Sequence, residues 1–196
     1  PRHSFLIARS PLSAFSHHSR LSRHHNNNKP FIARANHADY AANAGDDAVL
    51  QRPLKAELFP EEIVNVFGYP RDLREIYDVG IVMGAGSFGI VRLAIEKSTG
   101  RKYACKTIPK TPKSGHPTPR YLLKLQTEVD AMSQLGASLD AVFLKDVYED
   151  DTHVHLVMEL CEGGSVLDRL KIGEYGEAQV AQIMASVLRF LSQCHA

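Results

Sequence analysis

The chain has 196 residues, which is enough for about one to one and a half domains, and its composition is that of an ordinary globular protein. No apolar run is long enough to form a transmembrane helix, so no membrane span is predicted. The three cysteines, Cys105, Cys161 and Cys194, lie far apart without metal-ligand spacing. This pattern predicts no metal site, and it favours small buried thiols in a reducing compartment.

The net charge of +1 conceals a strong asymmetry along the chain. Residues 1–38 contain six of the 23 Lys and Arg residues and no acidic residue, so the other 17 basic residues face all 22 acidic ones. An acid-free segment rich in Arg and Ser is typical of a transit peptide, and it predicts a plastid or mitochondrial protein. The alternative is a basic tail without a targeting role, in a cytoplasmic protein.

Composition divides the chain into three parts. Residues 1–54 are predicted to be a disordered basic targeting segment followed by a linker. Residues 55–76 are predicted to be an N-terminal extension with a short amphipathic helix around 60–67, because Pro60 and the acidic residues after it suit a helix start. Residues 77–196 contain the motifs that carry chemistry.

The stretch "VMGAGSFGIV" has the glycine spacing G-x-G-x-x-G from Gly84 to Gly89. This spacing occurs both in dinucleotide-binding folds and in loops of another kind that cover nucleotide phosphates. In a dinucleotide fold the third glycine opens a helix, but here apolar residues alternate in "GIVRLAIE", a turn follows, and "KYACKTI" is again β-like. The glycines are therefore predicted to lie in an antiparallel hairpin. A hairpin that uses glycines only for bulges remains an alternative.

A lysine and a glutamate accompany the hairpin. In "YACK", Ala104 and Lys106 share a strand face, where Lys106 can offer a positive charge to phosphates. Thr118 and a proline then begin a helix with a periodic apolar face, and Glu128 borders that face. Glu128 can reach Lys106 across a cleft, whereas Asp130 is predicted to be solvated. The alternative for Lys106 is an ordinary exposed strand lysine.

Four ordered motifs together resemble the N-lobe of a protein kinase: "GAGSFGIV", "YACK", the glutamate of "TEVDAM", and "DDTHVHLVMELCEGGSVLDRL". The last run is most similar to calcium/calmodulin-dependent kinases and to the calcium-dependent kinases of plants and algae. The resemblance implies catalytic roles for Lys106, which holds the α- and β-phosphates, and for Glu128, which pairs with it. It implies that ATP is bound by Met83, Gly84, Ala85, Gly86, Ser87, Phe88, Gly89, Val91, Ala104, Lys106, Met158, Glu159 and Cys161.

Within that set, the resemblance places Phe88 at the tip of the phosphate-covering loop. Val91 and Ala104 enclose the adenine, and Met158 guards the back of the adenine pocket. Backbone groups of the hinge at Glu159 and Cys161 bind the adenine edge.

Two residues depart from the family pattern. Met83 covers the adenine where the family usually has a branched aliphatic residue, and its adaptable side chain should preserve the packing. Ser165 stands where many relatives have a glutamate near the ribose. Ser165 and Asp168 also fit a capping box for the next helix, and the capping role is favoured over ribose contact.

A final amphipathic helix is predicted in "GEYGEAQVAQIMASVLRFLSQCHA". In the family the catalytic loop H-R-D-x-x-x-x-N and then D-F-G follow this helix, and neither occurs in the sequence. The base for the substrate hydroxyl and the residues that hold Mg²⁺ are thus absent from these 196 residues. The chain is therefore expected to be a fragment, inactive on its own.

The predicted fold is α+β: a kinase-like N-lobe with a five-stranded antiparallel sheet and one main helix, followed by the first helices of an incomplete C-lobe. The predicted function is that of the ATP-binding part of a serine/threonine protein kinase that uses ATP and Mg²⁺. Its partners would be ATP and a protein substrate bound by the missing C-lobe, and no nucleic acid. The alternatives are a non-catalytic, pseudokinase-like nucleotide-binding or scaffold protein and a dinucleotide oxidoreductase.

Overall fold

A computed structural model describes residues 47–86, 89–113, 115–135, 138, 140–173 and 175–195. Its helices and strands follow one another in the order α1 (Asp47–Leu50), a 3₁₀ helix (Pro60–Ile63), α2 (Leu73–Ile76), β1 (Tyr77–Gly86), β2 (Gly89–Glu96), β3 (Lys102–Pro109), α3 (Pro119–Gln134), β4 (Leu144–Glu149), β5 (His153–Glu159), α4 (Val166–Lys171) and α5 (Glu177–Cys194). The predicted transit peptide lies outside the described residues.

The five strands form one antiparallel sheet in the order β1-β2-β3-β5-β4. The predicted hairpins are confirmed, because β1 pairs with β2 and β2 pairs with β3. The turn "EKSTG" between β2 and β3 ends at Gly100, whose φ of 70° lies in the left-handed region that favours glycine. The fold class predicted from the sequence is therefore confirmed.

Helix α3 begins as the sequence predicts. Thr118 is the N-cap, and its side chain accepts a hydrogen bond from the Tyr121 N–H, while Pro119 occupies the first helical position. The buried positions Leu122, Leu125 and Val129 recur at helical spacing. This apolar face turns α3 toward the sheet and fixes which side chains border the cleft.

Two hydrophobic clusters hold the fold together. The larger one joins α3 to β3, β4 and β5 and to the residues that precede β1; its fully or largely buried members are Val49, Leu58, Ile63, Val66, Phe67, Ile108, Leu122, Leu125, Val129, Leu144, Val147, Val154, Leu156 and Met158. The smaller cluster consists of Leu73, Tyr77, Ala94, Cys105, Tyr148 and Val157. The sheet is thus covered on both sides, which is what an antiparallel sheet with apolar residues on both faces requires.

The extension differs from its predicted form in two ways. The helix expected around 60–67 is a 3₁₀ turn of four residues, Pro60–Ile63. It ends where the buried Lys110 side chain binds the carbonyl oxygens of Ile63 and Val64, which takes those acceptors away from a longer helix. Val49, inside the segment assigned to a linker, is only 1% exposed and belongs to the larger cluster.

Beyond the sheet, α4 and α5 have no buried residues. Helix α5 exposes Met184, Leu188 and Leu191 from the apolar face predicted in the sequence. No helix within the described ranges is long and apolar enough to cross a membrane.

Candidate functional site

One face of the sheet collects four of the thirteen predicted nucleotide-binding residues. Directly paired residues of antiparallel strands point to the same face, and Val91 pairs with Lys106 while Ala104 pairs with Met158. Ala104 and Lys106 alternate with buried Cys105, so all four side chains share one face. Strand pairing alone therefore brings together residues that are up to 67 positions apart in the sequence.

The glycine hairpin closes one end of this face. Gly84 pairs with Val91, and Gly86 pairs with Gly89. The β1–β2 register shifts between Val82 and Gly84, so Met83 has no partner in β2, and its side chain is half exposed.

The remaining hairpin residues of the predicted set are placed less completely. Ala85 pairs with Ile90 and is exposed. Ser87 and Phe88, which the resemblance placed among the ATP-binding residues with Phe88 at the loop tip, lie outside the described residues.

The folded chain requires glycine at only one of the three positions of the motif. Gly89 has a φ of 146°, and a Cβ built on it would overlap the carbonyl oxygen of Thr107, so only glycine fits there. Gly84 and Gly86 have no left-handed φ, and a Cβ on either would meet nothing within 4 Å. Packing explains Gly89, but neither packing nor conformation explains the other two. Glycine there removes the Cβ that would otherwise keep a ligand away from the backbone.

Lys106 and Glu128 form an ion pair between β3 and α3, as predicted. The Lys106 side chain is 23% exposed and that of Glu128 is 36% exposed. The pair is thus neither a solvated surface contact nor a sealed core contact. A half-buried ammonium group held in place by a carboxylate can turn its remaining N–H donors toward phosphate oxygens.

The predicted back wall and hinge of the adenine pocket lie at the end of β5 and directly after it. Met158 is buried beside Ala104, in the larger cluster. Glu159 is the last residue of β5, and its N–H donates to the carbonyl oxygen of Phe143 at 2.9 Å. Its carbonyl group and Cys161 then lie where the chain leaves the sheet, and Cys161 is half-buried.

Ser165 acts as a helix cap. Its hydroxyl oxygen accepts a hydrogen bond from the Asp168 N–H at 3.1 Å, and its hydroxyl group bonds to the Asp168 carboxylate. This is the N-cap of α4 that the sequence favoured over a ribose contact.

A second ion pair was not predicted from the sequence. Lys110, four residues after Lys106, lies 2.7 Å from the Glu149 carboxylate, and neither side chain has any exposed surface. Burial acts to lower the pKa of Lys110, while Glu149 opposes that shift. The only sequence signal was the position of Lys110, which continues the every-second-residue series of the inward residues Lys106 and Ile108.

Comparison with known proteins gives one family. Residues 77–196 match the protein kinase domain family. Calcium-dependent protein kinase 2 of Oryza sativa subsp. japonica is 40% identical over 138 residues, which are 69% of this chain and 26% of that protein. Calcium-dependent protein kinase 8 of Arabidopsis thaliana is 40% identical over 125 residues, which are 63% of this chain and 23% of that protein.

Calcium-dependent protein kinase SK5 of Glycine max is 36% identical over 131 residues, which are 64% of this chain and 24% of that protein. The chain therefore spans about a quarter of the length of these curated relatives. The similarity covers the hairpin, the Lys106–Glu128 pair and the hinge, so the resemblance inferred from the motifs is confirmed. The chain belongs to the protein kinase family.

Proposed function

We propose that the part of the chain from Tyr77 onward is the ATP-binding lobe of a serine/threonine protein kinase. In the whole protein, ATP would donate its γ-phosphoryl group to a hydroxyl group of a protein substrate. The observation that carries the proposal is the Lys106–Glu128 pair, which lies on the same sheet face as Val91, Ala104 and Met158. The serine/threonine preference rests on the similarity to calcium-dependent protein kinases.

The hairpin glycines support a phosphate ligand. A side chain at Gly84 or Gly86 would meet no protein atom, so the folded chain itself does not require glycine there. Backbone N–H groups without a neighbouring Cβ can approach phosphate oxygens closely. Lys106 would supply the positive charge for the α- and β-phosphates, with Glu128 fixing the position of its ammonium group.

The described residues do not account for the binding of Mg²⁺. No group of three His, Cys, Asp or Glu side chains in the described ranges could hold a metal ion. We therefore assign Mg²⁺ to the ATP phosphates, so that the ligand of this lobe is MgATP. The base for the substrate hydroxyl would also lie outside these residues, because the sequence contains no H-R-D, and it contains no D-F-G aspartate for Mg²⁺. These 196 residues would bind nucleotide and position its phosphates without transferring them.

The decisive experiment measures the affinity of the 196-residue chain for MgATP. MgATP is titrated against a bound fluorescent nucleotide analogue, and the change in fluorescence reports the displacement of the analogue. Lys106→Met keeps the length of the side chain and removes its charge, and should weaken binding by tenfold or more, because a charge-assisted contact to phosphate contributes about 1.5–3 kcal/mol. Lys102→Met is the matched control, since Lys102 is exposed on the same strand, four residues away. It should leave the affinity unchanged.

Equal affinities for the Lys106→Met and Lys102→Met chains would show that Lys106 is an ordinary strand lysine and would overturn the proposal. A phosphorylation assay on the same samples separates binding from transfer. Phosphate transfer to any protein by the 196-residue chain would contradict the assignment of the chemistry to residues outside it.

A targeting role for residues 1–38 is part of the proposal and rests on their six basic residues and lack of acids. Residues 1–54 fused to a fluorescent protein should enter plastids, with mitochondria as the second destination. A diffuse cytosolic signal would contradict it.

A further inference from the structure

The segment that precedes the kinase-family match shares its core with helix α3. Val49, Leu58, Ile63 and Val66 are 1–2% exposed and lie in the same cluster as the buried face of α3. The family match begins at residue 77. Burying four such side chains removes their apolar surface from water, so this segment packs against the lobe and does not extend into solvent.

Backbone hydrogen bonds join the same segment to the start of α3. The Leu58 N–H donates to the Pro117 carbonyl oxygen at 3.0 Å, and the Arg120 N–H donates to the Leu54 carbonyl oxygen at 3.2 Å. Arg120 is in the first helical turn, where N–H groups have no partner within the helix. Residues 49–70, which include the end of the predicted linker and are called the extension from here on, thus supply an acceptor that α3 itself lacks.

The buried ion pair fastens the other end of the segment. The Lys110 ammonium group donates to the carbonyl oxygens of Ile63 and Val64 at 2.8 and 2.9 Å and lies 2.7 Å from Glu149. The Glu149 carboxylate also accepts a hydrogen bond from the Tyr69 N–H at 2.9 Å. Lys110 follows β3 directly, so the residue that binds the extension lies next to the end of the strand that carries Lys106.

The helix transmits this docking to the nucleotide site. Each residue turns an α-helix by about 100°, so Glu128 lies only about 60° around the axis from buried Leu125. A shift of the buried face therefore moves Glu128 relative to Lys106. Lys106 lies in β3, and the extension is bound to Lys110 directly after β3. Helix α3, which carries Glu128, packs against both the extension and the sheet.

We propose that residues 49–70 are a positioning element of the nucleotide site, which holds α3 so that Glu128 meets Lys106, and that Lys110 is its positioning residue. This inference rests on the proposed function. Because coupling between two sites is reciprocal, MgATP must also tighten the docking of the extension.

The first test uses the unmodified chain. Hydrogen exchange at the Leu58 and Arg120 amides should slow when MgATP saturates the protein, by about fivefold or more, the lower end of ordinary coupling between sites. Exchange that is unchanged at saturating MgATP would overturn the inference.

The second test compares the same Val→Ala substitution at two buried positions. Val66→Ala makes a cavity in the extension, and Val157→Ala makes one in the smaller cluster, which contains no residue of α3. Both substitutions should destabilise the fold, but only Val66→Ala should weaken MgATP binding, again by about fivefold or more. Only Val66→Ala should speed exchange at the Arg120 amide.

The outcomes separate the two proposals. If the unmodified chain binds no MgATP, the proposed function fails, and exchange at Arg120 in the Val66→Ala and Val157→Ala chains still decides whether the extension holds α3. If MgATP binds and both variants change its affinity and the Arg120 exchange equally, the positioning role fails while the proposed function stands. If the Val66→Ala chain does not fold, the exchange measurement on the unmodified chain decides.

Discussion

Two lysines four residues apart, one within β3 and one directly after it, form ion pairs of opposite character. Lys106 and Glu128 face the cleft with 23% and 36% of their side chains exposed, whereas Lys110 and Glu149 have no exposed surface. The Lys110 ammonium group also donates to two backbone carbonyl oxygens. The buried group is thus fully occupied within the protein, and the cleft group retains access to a ligand.

The difference shows that burial distinguishes an ion pair that stabilises the fold from one that can bind a ligand. The presence of the ion pair does not distinguish them. A sealed pair costs desolvation free energy and persists only where its geometry and hydrogen bonds compensate, so its loss damages the fold. A partly exposed pair contributes little to stability because water screens it. Its charge is instead available to a bound anion. Loss of Lys110 should therefore lower stability far more than loss of Lys106, whereas only Lys106 should contact the nucleotide directly.

The largest expected effect follows from breaking the buried pair. Lys110→Met leaves the Glu149 carboxylate buried without its counter-charge, which should lower the free energy of unfolding by about 3–5 kcal/mol. Denaturant unfolding of the 196-residue chain measures this value. Lys106→Met, the same substitution in the cleft, should change it by about 1 kcal/mol or less. Equal losses in the two variants would remove the distinction between anchor and site.

The hairpin glycines allow the same comparison on the other side of the cleft. Gly89→Ala should destabilise the fold by about 1–3 kcal/mol, because its φ of 146° and the Thr107 carbonyl group leave no place for a methyl group. Gly84→Ala meets no protein atom, so it should leave the free energy of unfolding unchanged and weaken MgATP binding. Thermal unfolding and nucleotide titration of both variants measure the two effects.

A Gly84→Ala chain with unchanged nucleotide affinity would contradict a phosphate site at the hairpin. It would favour the bulge interpretation, in which these glycines serve only the strand geometry.

A third contact tests intermediate burial. His155 Nε2 lies 3.0 Å from Asp150 Oδ2, with side chains 13% and 48% exposed. Burial lowers the pKa of His155, although Asp150 opposes the shift. The unfolded chain therefore binds more protons between the lowered value and about 6.5, so stability rises with pH across that window and is lost as pH falls through it.

We expect His155→Gln to flatten this pH dependence, as measured by the unfolding free energy between pH 5 and 7. Parallel pH profiles for the unmodified chain and the variant would show that His155 does not contribute to it.

The sequence predicted the cleft pair and missed the anchor for identifiable reasons. Lys106 and Glu128 occur in motifs at family-like spacing, and the periodicity of α3 placed Glu128 beside its buried face. Lysine is almost never fully buried, so the position of Lys110 in line with Lys106 and Ile108 was too weak a signal to predict its burial. Its partners Ile63 and Glu149 are 47 and 39 positions away, and only the folded chain brings them together.

The extension shows the same limit. Its proline and acidic residues predicted a helical turn correctly, but the length of that turn depends on the Lys110 side chain, which binds the carbonyl oxygens at its end. The β1–β2 and β2–β3 hairpins were predictable because apolar alternation and turn residues are local patterns. The five-stranded sheet followed from the family resemblance, and the pairing of β3 with β5 was not predicted. Docking between distant segments is not a local pattern.

The most direct test of the central claim is the location of MgATP on the described lobe. Nuclear magnetic resonance spectra of the 196-residue chain should show MgATP-dependent shifts at the Gly84 and Gly86 amides and at the Lys106 side chain. The Gly100 amide, in the β2–β3 turn at the opposite end of the hairpin strand, should not shift. Shifts confined to Gly100 and its neighbours, or none at saturating MgATP, would contradict the assignment of the nucleotide site to Lys106, Glu128 and the glycine hairpin.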